Sequence, residues 1–288
     1  MEKYDYPSLY RSADDASINA QWWHLSTIKL YLFFLVAATF ASTYVGSSHE
    51  WIVISAILFF ATLGLAILQF NSDKDEIWYY GRAVAESIKT RTWRYIMRAE
   101  PYGDSVPDQK VKSKFCNDIR KILRQNTSLV EYLGQHTTDR LVTEKMSRIR
   151  SLDLENRLRL YHRDRIEDQL EWYNEKWTDN KNKSIFWFWV MIIFHSMAVI
   201  LLIYKVANPS NTLPVESALM AGSGILTWMQ VKRFKEHKSA YALTAYEIGI
   251  IKERSTNIET EEELSDFVKD TENAFSREHT QWIARRDT

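Results

Sequence analysis

Apolar residues in this chain are gathered into blocks. Ile28 to Val45, Trp51 to Phe70 and Ile185 to Tyr204 are nearly continuous apolar runs, and Leu213 to Val231 is a fourth, more polar one. At about 1.5 Å rise per residue, roughly 20 helical residues cross a hydrocarbon core about 30 Å thick. The first three blocks therefore predict membrane-spanning helices. The fourth is weaker because Glu216, Ser223 and Gln230 recur every seventh residue, which stacks a carboxylate, a hydroxyl and an amide on one helical face.

The links inside the two hairpins, Gly46 to Glu50 and Lys205 to Thr212, carry only one basic residue between them, Lys205. Nearly all Lys and Arg lie in the middle segment and the tail from Lys232 onward. The positive-inside rule then places both termini and the middle in the cytoplasm. Two basic regions on one side require an even number of spans, so the weak fourth segment must cross. Trp22 and Trp23, Trp51, Trp187, Trp189 and Tyr204 fall where an aromatic belt would sit. The polar leader of Met1 to Thr27 and the second span that follows predict a retained hairpin rather than a cleaved signal peptide.

Outside the spans the pattern is helical. Trp78 to Glu100 reads as a helix stopped before Pro101, with Glu86 and Lys89 spaced to pair across a turn. Phe115, Ile119, Ile122 and Leu123 mark a second apolar face. Arg140 to Asp179 predicts one long charged helix. Its seam runs through Leu154, Leu158 and Tyr161, slips at Ile166, and resumes through Leu170, Tyr173 and Trp177. Phe234 to Arg254 and a last helix through Glu278 and Trp282 complete a cytoplasmic bundle. The fold class expected is all-α: four transmembrane helices as two hairpins plus that bundle.

The chain also repeats. At an offset of 161 residues Leu58 meets Leu219, Gln69 meets Gln230, Tyr80 meets Tyr241 and Glu86 meets Glu247. Span two carries its own stripe, Ser55, Thr62 and Gln69, in register with that of the fourth span. Two related two-span units in tandem follow, divided as 1–139 and 140–288.

Composition refines this picture. Mean hydropathy is −0.34 because charged segments offset the apolar blocks. Net charge is zero, which gives no basic surplus for direct nucleic-acid binding. One cysteine, Cys116, leaves no disulfide and no CxxC pair. Phosphate-binding glycine loops and protease or dinucleotide fingerprints are absent from the sequence, and the histidines lack metal-ligand spacing. No cofactor, no metal and no enzymatic reaction are expected; a catalytic reading would need Glu86 and Glu247 to act together.

Two features bear on function. His195 lies inside the third span, where an ionisable group reads either as a pH-sensitive gate or as a neutral imidazole bonded to a neighbouring helix. The stripes Ser55, Thr62, Gln69 and Glu216, Ser223, Thr227, Gln230 read either as pore lining or as packing seams. Ala218 and Gly222, four apart, suit close helix packing. One chain's four helices are too few to enclose a channel, so a pore implies a homo-oligomer in the bilayer.

The segment RAVAESIKTRTWRYIMRAEPYG, preceded by Trp78, resembles the signature of one branch of the SLATT family of two-transmembrane effector domains. Its residues include Arg82, Glu86, Lys89 and Trp93. RIEDQLEWYNEKWTDNK with Tyr173, then YALTAYEIGIIKE with Glu247, then SREHTQW with Glu278 and Trp282, is similar to another branch. The resemblance implies a bacterial inner-membrane effector of antiphage or conflict systems. Such an effector assembles and perforates or depolarises the membrane when a signalling protein or nucleotide messenger reports infection. The alternative is a non-conducting scaffold or sensor that recruits a cytosolic partner through the bundle.

Overall fold

The computed structural model describes residues 1–46, 48–104, 107–133, 141–255 and 258–284, with the side chains of 128 and 277–284 left aside. Among the described residues every regular element is helical. Their order is α1 (Ser8–Thr43), α2 (His49–Phe70), α3 (Lys74–Ile96), α4 (Asp108–Gln125), α5 (Thr127–Val130), α6 (Glu144–Arg150), α7 (Leu154–Tyr161), a π segment (His162–Glu167), α8 (Asp168–Ala207), α9 (Val215–Lys232), α10 (Phe234–Arg254) and α11 (Glu261–Ala284). Among the described residues three helical stretches, Ser8–Thr43, His49–Ile96 and Leu154–Ala207, are long and apolar enough to cross a membrane. Only 17%, 11% and 6% of their most apolar windows is buried, so the apolar surface faces outward, as lipid-facing surface does. The fourth segment forms α9 but is not among these three.

The repeat is visible in the helix bounds. Offset by 161 residues, α1 becomes 169–204 beside α8, α2 becomes 210–231 beside α9, and α3 becomes 235–257 beside α10.

Two sequence expectations are corrected. The helix expected over Trp78 to Glu100 begins at Lys74 and ends at Ile96, before the proline can act. Arg98 adopts a left-handed backbone, φ 56°. Its N–H donates to the Tyr95 carbonyl and that of Ala99 to the Arg94 carbonyl, at 3.3 and 2.9 Å, which closes a Schellman stop. A non-glycine residue in this region is strained. Here Arg98 is held by its own side chain, with Nε donating to the Arg150 carbonyl and Nη1 to Asp104.

The single helix expected over Arg140 to Asp179 is in fact interrupted. Helix α6 ends at Arg150, and Asp153 caps the start of α7 by accepting the Asn156 N–H at 2.8 Å. From Leu154 the helix runs without a break to Ala207. The slip at Ile166 has a structural cause: the π segment adds a residue to the turn, so Arg165 and Ile166 are both buried side by side.

The chain forms two compact units. The first comprises Met1–Trp22, Asp73–Trp172 and Thr244–Thr288; the second comprises Trp23–Ser72 and Tyr173–Leu243. In the first unit α3 is the spine. Gly81 lets α1 approach it, because a Cβ there would sit 3.0 Å from the Ala13 carbonyl oxygen and the Ser17 Cβ. Trp93 is fully buried, donates its indole N–H to the Tyr6 hydroxyl at 3.0 Å and meets the Tyr161 ring edge-on. Beside it lies a buried ion pair. Arg165 holds Glu272 with two bonds, Nε to Oε1 at 2.9 Å and Nη2 to Oε2 at 2.8 Å, and the Tyr161 hydroxyl donates to the same carboxylate. Burial and Glu272 raise the Tyr161 phenol well above its ordinary pKa, so it remains a donor. Arg157, also fully buried, caps the end of α3 by donating to the Met97 carbonyl and pairs with Glu261.

Breaking this pair on one side leaves an unpaired buried charge. Glu272→Ala is expected to lower unfolding free energy by roughly 3–5 kcal/mol, whereas Arg165→Met with Glu272→Leu recovers most of the loss. Chemical denaturation followed by circular dichroism measures both, and equal losses in the two variants would contradict this account.

Candidate functional site

The second unit holds the polar stripes, and the structure separates them. Ser55 and Thr62 on α2 are buried, and each hydroxyl donates back to its own helix, to the Ile52 and Phe59 carbonyls at 3.0 and 2.7 Å. Gln69, half-buried, bonds through its amide nitrogen to His24 Nδ1 at 3.0 Å. This stripe is turned into the unit as a seam.

Helix α9 does the reverse. Its small-residue face, Ser217, Ala218, Gly222 and Gly224, is buried, while Glu216, Ser223, Thr227 and Gln230 are exposed. Thr227 donates to the Ser223 carbonyl at 3.0 Å, and Glu216, 68% exposed, has Lys205 as a loose partner at 3.9 Å. Seven-residue spacing put both sets on one face of a helix but could not say which way either face looks. The answer comes from α9, whose close-packing residues occupy the other side.

His195 and Gly222 pack closely in this unit. His195 Nδ1 lies 2.9 Å from the Met191 carbonyl on its own helix, whereas one of the two sequence readings had the ring bonded to a neighbouring helix. A carbonyl only accepts, so Nδ1 carries a proton in this contact. The ring lies against Gly222, where an added Cβ would come within 2.4 Å of two ring atoms. The glycine is thus the slot for the imidazole.

The signature residues fall in different surroundings. Glu86 is buried and pairs with Arg82 one turn back at 3.1 Å. Burial lowers the pKa of the half-buried Lys89, with Glu86 opposing and Arg165 and Arg82 reinforcing that effect. Trp93 is at the centre of the first unit. Tyr173 is buried against Tyr241, and the ring of His237 stacks on Tyr241. Glu247, the repeat partner of Glu86, is exposed, so the two glutamates share no common environment. Glu278 and Trp282 lie on α11, but their side chains are outside the described residues. Sequence reading missed Arg157, Arg165 and Glu272. A signal was present in Arg157, Tyr161 and Arg165 at four-residue spacing, one buried stripe in which two arginines stand where apolar residues were sought.

Two measurements follow from this geometry. Gly222→Ala should force the His195 ring aside and cost about 1–3 kcal/mol of stability in detergent, and His195→Ala in the same chain should restore part of it. Thermal unfolding of the single and double variants reads both. His237 is pushed down to about 4 by burial and by Lys232 and Arg233, against Glu236. Its folded pKa lies below the unfolded value of about 6.5, so the unfolded chain takes up the proton first. The stability it supports is complete above that value and is lost as pH falls toward 4. His237→Phe, which keeps a ring on Tyr241, should flatten that part of the stability profile relative to the unsubstituted chain.

A family model described as SMODS and SLOG-associating 2TM effector domain 3 matches residues 7–158, and one described as SMODS and SLOG-associating 2TM effector domain 1 matches residues 161–282. No curated protein and no solved structure matches the chain. The apolar helices agree with the two-transmembrane character that both descriptions carry and make this a multi-pass membrane protein. With one model covering more than half of its 288 residues and the second covering most of the remainder, the chain belongs to the SLATT family and carries two of its effector domains in tandem.

Proposed function

We propose that this chain is a bacterial inner-membrane effector that crosses the bilayer four times, assembles with copies of itself, and opens or disrupts the membrane when a signalling protein or nucleotide messenger triggers it. The observation that carries this reading is the outward polar face of α9. Glu216, Ser223, Thr227 and Gln230 are exposed on a unit whose other exposed side chains include Phe60, Leu63, Leu68 and Ile200. Lipid offers an amide or a carboxylate no hydrogen bond, and Lys205 reaches Glu216 only loosely; such groups in membrane segments turn toward protein or water. Copies arranged with α9 toward a common axis remove that cost and supply the lining that one chain cannot enclose.

The topology of this reading has both termini and the basic segments in the cytoplasm, with α9 as the fourth span. Its two-span units are 1–139 and 140–288. No reaction is assigned to the protein, since Glu86 is engaged by Arg82 and Glu247 stands apart in the open.

A second reading, a non-conducting scaffold that recruits a cytosolic partner, is favoured by the α2 stripe. Ser55 and Thr62 are buried with their hydroxyls bonded to their own helix, and in this reading the α9 face packs in the same way within an oligomer. The two readings part in a single experiment. Triggered expression should collapse membrane potential, measured with a voltage-sensitive dye, and Glu216→Leu or Gln230→Leu should weaken the collapse while Ser55→Ala leaves it intact. Toxicity with potential preserved, together with capture of one stoichiometric cytosolic protein, would establish the scaffold instead.

A further inference from the structure

Trp228, near the end of α9, carries two ammonium groups against its ring. Lys29 of α1 places Nζ 5.1 Å from the ring centroid, and Lys232 places its own at 5.9 Å. The charged groups that face Lys232 are Lys183 of α8 and Lys29, both positive. Lys183 has Asp179 one turn back on its own helix at 3.2 Å. Among the described residues neither Lys29 nor Lys232 has a carboxylate in ion-pair reach. Three helices thus bring three like charges together, and one of them, Lys232, is half-buried. Ring contacts offset only part of the repulsion and desolvation. The arrangement calls for an anion from outside the chain.

The surroundings say what kind. Lys29 opens the first apolar block, Lys183 stands two residues before the third, and Lys232 directly follows the fourth, so all three mark the basic end of their apolar blocks. Their neighbours Leu30, Ile185 and Phe186 are exposed apolar side chains, 44%, 50% and 58% accessible. A ligand held here meets cations at one level and apolar surface at the next, which is the profile of an anionic phospholipid. We infer that Lys29 and Lys232, both held on the Trp228 ring, bind with Lys183 of α8, which faces Lys232, the phosphate of an anionic phospholipid headgroup whose acyl chains lie along α1 and α8. This rests on the reading that these helices cross the bilayer. The lipid would act as a counter-ion joining α1, α8 and α9.

The test uses the full chain in nanodiscs of phosphatidylcholine, with or without phosphatidylglycerol. Phosphatidylglycerol should raise the melting temperature. In the Lys29→Gln, Lys232→Gln double variant that rise should vanish, while melting in phosphatidylcholine stays the same or increases because like-charge repulsion has been relieved. Lys205→Gln, at the opposite end of the apolar block of α8, should keep the full rise. No rise in the unsubstituted chain, or a rise retained by the double variant, overturns the site. So does a double variant that melts lower by the same amount in both lipids, which would mean the lysines only pack on Trp228. A comparable rise on adding soluble glycerol phosphate to phosphatidylcholine discs overturns the lipid as the source of the phosphate. Failure of the chain to enter nanodiscs at all would instead remove the four-span reading on which the site depends.

Discussion

The first unit is organised around one buried ion pair, Arg165 with Glu272. Both members are shut off from solvent, so each is tolerable only because the other is present, and the Tyr161 hydroxyl completes the carboxylate's bonding. The geometry of everything nearby follows from that requirement. The π segment turns Arg165 inward without giving up Ile166, Phe275 lies under the guanidinium, and Trp93 fills the space between Tyr161 and Tyr6. Because Trp93 belongs to the first tandem domain and Arg165 and Glu272 to the second, the two domains share one core instead of folding as separate beads.

The second unit runs on a different principle. Its exposed surface is largely apolar, so association of its helices gains little from hiding that surface and relies instead on close contact. Gly222 accepting the His195 ring is the clearest case, and the inward Ser55 and Thr62 hydroxyls, satisfied by their own helix, are compatible with the same tight packing. A polar face left outside such a unit stands out, and α9 supplies one. The duplicated halves have thus diverged in use: at matched positions of the repeat Ser55 and Thr62 are buried while Glu216 and Ser223 are exposed, and Glu86 is paired and buried while Glu247 is open.

Much of the helical layout was legible beforehand. Hydropathy located the helices that became α1, α2, α8 and α9 to within a few residues of their apolar parts, and the offset of 161 anticipated the recurrence of helix bounds. The slip at Ile166 was also visible, although only the π segment explained it. The end of α3 was misplaced because Pro101 drew attention from Arg98, whose left-handed backbone carries no glycine to announce it. The break at Asp153 was missed because charged residues continue across it.

What the sequence determined by itself is what depends on neighbours in the chain: helix positions set by local apolar periodicity, the tandem repeat, and membership of the family through short motifs in order. Only the tertiary structure decided which face of each helix is used. Periodicity states that residues share a face, but whether that face meets protein or the outside depends on partners far away in sequence. Arg165 became a core residue through a glutamate 107 positions later, and the α9 stripe faces outward because Gly222 holds the opposite side against His195.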